Sequence, residues 1–119
     1  MYTLELTHGF AAAHQLQHAF ASECNDFLHG HNWKVKVTIK CAELHDGMVL
    51  DFKKIKSVIN ELDHKDLTKV LDFETSAENL SAYIHNRICE AMREKHGEKA
   101  FKVKVQLWEA DKASITYES

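Results

Sequence analysis

The stretch Cys24-Asn25-Asp26-Phe27-Leu28-His29-Gly30-His31-Asn32-Trp33 sets a thiol upstream of two histidines spaced i, i+2. From Trp33 onward, Val35, Val37, Ile39 and Cys41 alternate with Lys34, Lys36, Thr38 and Lys40. That is the pattern of a strand with one buried face. Carried backwards, the same phase takes in His29 and His31, which puts both imidazoles on one side, about 6–7 Å apart along the backbone. Two imidazoles at that separation can chelate one ion. His14 continues the alternation of an earlier strand through Tyr2, Leu4, Leu6, His8, Phe10 and Ala12. A hairpin between the two strands would bring His14 to the same face.

This cluster has three readings. Three neutral imidazoles with an open position are the ligand pattern of a catalytic zinc site, and Cys24 as a fourth ligand would close it into a structural one. A bare His-x-His can also be a strand's inner face, with its rings bonded to backbone carbonyls. A thiol and a third histidine in phase weigh toward metal. Cys24 beside a cation would have a lowered pKa, which suits a base or nucleophile. Asp63-His64 at a helix end can orient and charge an imidazole for acid–base work, or simply cap the helix. Glu109 stands where a strand pattern ends after Trp108. A carboxylate there can accept two N–H bonds from the guanidine-like edge of a heterocycle, or be a solvated turn residue.

Cys41 on an apolar strand face and Cys89 inside a helix read as inert thiols. Lys34, Lys36 and Lys40 read as a solvated face. No Gly-rich phosphate loop is present, so nucleotide hydrolysis of the P-loop kind has no support.

The elements that must position these groups fit a single domain over residues 1–119. The net charge of −3 lacks the basic excess of a nucleic-acid surface. Nine histidines raise the expectation of metal chemistry. Three widely spaced cysteines without a CxxC pair argue against a disulfide framework and for a reducing cytoplasm. No stretch approaches the length of a membrane span.

Two strands, Tyr2 to His14 and His29 to Cys41, flank a long connection from about Gln15 to Phe27, a length usually functional or mobile. Asp51 is a plausible N-cap for a helix with Phe52, Ile55, Val58, Ile59 and Leu62 on its apolar face. Residues 65–73 read as irregular. Thr75 and Glu78 match a capping box opening a second helix, which Lys95, His96 and Gly97 close. Strands from Phe101 and Ala113 finish the chain, with 109–112 as the turn between them. The order ββααββ predicts an α+β fold, a four-stranded antiparallel sheet with two helices on one face.

Taken together, these motifs resemble the 6-pyruvoyltetrahydropterin synthase / 6-carboxytetrahydropterin synthase family. The resemblance rests on Phe10-Ala11-Ala12-Ala13-His14, Cys24 ahead of His29-Gly30-His31-Asn32, and Gly47-Met48-Val49 with Asp51-Phe52. It continues through Leu62-Asp63-His64, Ser76-Ala77-Glu78-Asn79-Leu80 and Glu109. It implies the tunnelling fold, whose subunits join sheet to sheet into barrels with active sites at subunit interfaces. It also implies a homo-oligomer, trimer-based, tetrameric or hexameric. By position, His14, His29 and His31 would bind zinc, with Cys24 as general base and Asp63 and His64 as its relay partners. Glu109 would anchor the pterin, and Ser76 would also contact it.

The implied substrate is 7,8-dihydroneopterin triphosphate. The first expectation is a zinc-dependent 6-carboxytetrahydropterin synthase of queuosine biosynthesis. The alternatives are a 6-pyruvoyltetrahydropterin synthase, a folate-route relative making 6-hydroxymethylpterin, or a non-catalytic pterin- or metal-binding module. The four residues between Cys24 and His29 make a gap longer than is typical of the carboxy enzymes and shorter than in animal pyruvoyl enzymes.

Overall fold

The computed structural model describes residues 1–16 and 28–119, with His29 described by its backbone alone. Cys24 and most of the connection around it lie outside the described residues. The long strands are as the alternation predicts: β1 (Tyr2–His14) and β2 (His29–Cys41) pair antiparallel along their whole length, from Tyr2 opposite Cys41 to His14 opposite His29. Val35, Val37 and Ile39 are fully buried. Each such side chain contributes about 1.5–3 kcal/mol of hydrophobic stabilisation, which fixes the register, because a one-residue slip would turn all three to solvent.

Helix α1 (Phe52–Asn60) is capped by Asp51, whose carboxylate accepts from the Lys53 N–H at 2.8 Å. It buries Ile55, Val58 and Ile59, while Phe52 at its first position stays exposed.

Residues 65–73, expected to be irregular, contain structure. Lys65–Asp66 form a short strand, β3, parallel to β1 through Ala12 and Ala13. Asp66 then caps the single turn α2 (Leu67–Val70), accepting from the Thr68 N–H at 3.1 Å. The local pattern is silent here because the segment is ordered by its pairing with Ala12 and Ala13 of β1, more than fifty positions away.

Helix α3 (Ala77–His96) begins one residue later than the capping box suggests. Its N-cap is Ser76, whose hydroxyl accepts from the Asn79 N–H at 3.2 Å. Gly97 ends it at φ 66°, a left-handed conformation that costs glycine nothing. Strands β4 (Phe101–Ala110) and β5 (Ala113–Glu118) complete the sheet, in the order β3-β1-β2-β4-β5. The fold is α+β, with a sheet of five strands rather than four, mixed rather than purely antiparallel. Helix α3 packs on β4 and β5, and α1 on β1 and α3. Among the described residues no helix is long and apolar enough to cross a membrane.

Candidate active site

Candidate site side chains gather at one end of the sheet, where β1 ends, β2 begins and β4 ends. His14 is fully buried. Its Nδ1 lies 2.7 Å from the carbonyl oxygen of Thr75, in the segment that leads into α3. A carbonyl oxygen only accepts, so Nδ1 carries a proton and donates, which turns Nε2 toward the cluster as the nitrogen that can coordinate an ion. His31 enters from β2, where it faces the core side like Trp33 and Val35. The His14 and His31 rings sit 5.0 Å apart, nearly perpendicular.

Glu109 closes the cluster. Its Oε1 lies 3.0 Å from His31 Nε2 and 3.5 Å from His14 Nε2. Rather than lying in a turn, it lies in β4, at a bulge: Trp108 pairs with Ser114 and Ala110 with Ala113, so Glu109 is the extra residue. A bulge re-aims a side chain, and this one shares the inward phase of buried Leu107.

The electrostatics follow from that geometry. Burial pulls the His14 pKa down most strongly, but the hydrogen bonds to Glu109 and Thr75 and the charges of Glu109 and Glu74 outweigh it, so the pKa is raised. Two imidazole nitrogens turned toward one carboxylate oxygen call for a positive charge among them. A proton supplies it, and so would a divalent cation. One potential ligand atom from each of His14, His31 and Glu109 lies within 4.8 Å of the others. Two imidazoles and a carboxylate make a donor set suited to zinc, so these residues fit the metal. His29 is paired with His14 in the backbone register, directly across the strands.

Asp63 and His64 are docked beside this end of the sheet. The Ala11 N–H donates to Asp63 Oδ1 at 2.8 Å, and the His64 N–H donates to the Ala11 carbonyl at 2.6 Å. Asp63 Oδ2 is 3.5 Å from His64 Nε2, and the His64 side chain is 82% exposed. His64 holds φ 57°, the turn that carries the chain onto β1. His31 and His64 line one recess of about 470 Å³, with Ala13, Gly30 and Lys65 between them. Ser76 belongs to the segment that holds His14, but its hydroxyl serves the helix. Sequence reasoning overlooked the Thr75 carbonyl, a backbone group with no residue signature. It also overlooked that the Trp33 indole packs against both imidazoles. The signal for Glu109 facing inward was its phase with Leu107.

A sequence model of the family described as 6-pyruvoyl tetrahydropterin synthase matches residues 3–119. The chain belongs to that family. It is 32% identical to the dihydroneopterin monophosphate aldolase of Pyrococcus furiosus, over 92% of this chain and 94% of the relative. It is 29% identical to a putative 6-carboxy-5,6,7,8-tetrahydropterin synthase of Pyrococcus abyssi, over 87% of this chain and 81% of that one. The solved 6-pyruvoyl tetrahydropterin synthase of Caenorhabditis elegans superposes with a TM-score of 0.73 at 28% identity, covering 99% of this chain and 95% of the other. The chain thus spans most of each relative's length, and the structural match agrees with the α+β protomer that the motifs imply.

Proposed function

We propose that the protein is a zinc-dependent lyase acting on the side chain of 7,8-dihydroneopterin triphosphate, as a 6-carboxytetrahydropterin synthase. The observation that carries this reading is the convergence of His14, His31 and Glu109 at one end of the sheet, in a chain that matches a pterin-synthase family almost throughout.

In this reading His14, His29 and His31 hold the metal. Zinc, when bound, polarises the hydroxyls of the substrate side chain and lowers their pKa. Glu109 accepts the N–H groups of the amino-pyrimidine edge, and the nearness of its carboxylate to the imidazoles sets the pterin beside the metal. Cys24 removes a side-chain proton. Asp63, 3.5 Å from His64 Nε2, orients the imidazole, and the pair returns a proton on the recess side. The pterin ring is reduced at the expense of its own side chain, and no external redox cofactor is needed. Triphosphate leaves by elimination, and hydrolytic cleavage of the side chain releases acetaldehyde. Ser76 acts through the N-cap that holds the Thr75 segment in place.

The exposure of His64 supports an assembly in which a neighbouring subunit covers it, the barrel-forming homo-oligomer of the family. A cytoplasmic location goes with this chemistry.

A second reading is favoured by the P. furiosus relative, whose name describes an aldolase on a dihydroneopterin phosphate. Retro-aldol cleavage would leave 6-hydroxymethyl-7,8-dihydropterin, the folate-route product, and release the phosphorylated two-carbon aldehyde. Incubation with dihydroneopterin triphosphate and product identification decide among them. Carboxypterin with acetaldehyde supports the first reading, hydroxymethylpterin the second, and pyruvoylpterin would sink both. Cys24→Ala should abolish turnover with zinc retained; loss of zinc in that variant would make Cys24 a ligand instead of the base.

A further inference from the structure

Trp33 is buried against both imidazoles. Its indole meets His14 at 5.2 Å between ring centroids and 80° between planes, and His31 at 5.3 Å and 72°. With the 5.0 Å and 75° of the His14–His31 pair, the three rings form a nearly equilateral triangle of edge-to-face contacts. That is the favoured geometry of aromatic neighbours. The indole is itself held from two sides. Its Nε1–H donates to the Ala12 carbonyl at 3.3 Å, and Phe10 stacks on it at 5.9 Å and 5°. Phe10 is the cross-strand partner of Trp33, and Ala12 that of His31. Both holds come from β1, the strand that also carries His14, while Trp33 itself stands on β2 with His31.

A histidine's second side-chain torsion is broad and roughly two-fold. A chelating pair needs both rings held with their Nε2 atoms convergent. The His31 side chain is a quarter exposed, so packing encloses its ring on only part of its surface. The indole wall limits the rotation of that ring.

We propose that Trp33 is a positioning residue of the metal centre, setting the separation and angle of His14 and His31 so that both Nε2 atoms address one ion. The inference rests on the metal reading above. Outer residues that orient metal ligands typically change affinity by about 10–100-fold when removed. Trp33→Leu should raise the zinc dissociation constant by about that factor and alter the visible absorption bands of the cobalt(II)-substituted protein. Trp33→Phe keeps a ring edge and should restore most of the affinity. A Leu variant with wild-type zinc affinity and an unchanged cobalt spectrum would overturn the proposal.

Should the Leu variant fail to fold, Trp108→Phe decides, because the chain has two tryptophans and Trp33 is then the sole indole. One equivalent of cobalt(II) should quench its fluorescence; unquenched emission with cobalt bound would overturn the proposal. A wild-type protein that binds neither zinc nor cobalt would overturn the metal reading and this inference together. Affinity that is present and insensitive to Trp33 overturns this inference alone.

Discussion

Nδ1 of His14 donates to the carbonyl oxygen of Thr75 at 2.7 Å, across 61 positions of the chain. This bond ties the end of β1 to the segment leading into α3 and turns Nε2 toward His31 and Glu109. His14→Ala should bring bound zinc below detection by elemental analysis. It also leaves a buried carbonyl unpaired, so the thermal midpoint should fall, at a cost of about 1–3 kcal/mol. Full zinc occupancy in that variant would show that the metal sits elsewhere.

Glu109 is near enough to both imidazoles to be a ligand and placed to be a substrate anchor. The anchor role predicts that Glu109→Gln keeps stoichiometric zinc and loses pterin binding by about 10–100-fold, the usual loss for a charge-assisted hydrogen bond. Pterin fluorescence titration beside metal analysis tests this. Zinc lost with the carboxylate would make Glu109 a ligand.

Asp63 has a structural task as well as a proposed chemical one, since its Oδ1 accepts from the Ala11 N–H at 2.8 Å. Asparagine retains an accepting oxygen and alanine does not. Asp63→Asn should hold the thermal midpoint near wild type while turnover falls. Asp63→Ala should lose both, with about 1–3 kcal/mol of stability. Equal melting of the two variants would separate Asp63 from the docking of β3.

Ser76 caps α3 through the Asn79 N–H. Ser76→Ala should cost about 1 kcal/mol, and Ser76→Asp, another good N-cap, much less. Denaturant midpoints check this. A raised KM in the alanine variant with unchanged stability would instead point to direct contact with the pterin.

Burial pushes the Cys89 thiol pKa up, against the opposing charge of Arg93. The folded thiol therefore stays protonated where the unfolded one ionises. Its contribution to stability is full below the ordinary thiol pKa and is lost as pH rises through the raised value. Peptide mapping after iodoacetamide should find Cys89 unmodified in the native protein and modified in denaturant. The alkaline loss of stability should flatten in Cys89→Ala. Ready native labelling would contradict the burial.

The sequence by itself determined the long strands, both long helices, the inward phase of His14 and His31, and the family. Each of these rests on side-chain periodicity or on residue types at short spacing, which a linear chain displays. Tertiary structure decided what periodicity cannot carry. Strand β3 is docked where the Asp63 carboxylate accepts from the Ala11 N–H and the His64 N–H donates to the Ala11 carbonyl, and no local pattern marks a two-residue parallel pairing. The helix cap passed from Thr75 to Ser76, while the Thr75 carbonyl took up His14. Glu109 reached the imidazoles because a bulge kept β4 running to Ala110, where the sequence had suggested a turn. Trp33, which the alternation marks only as a core residue, is set by the β1–β2 register against both histidines, an arrangement of three rings that exists only once two strands have paired.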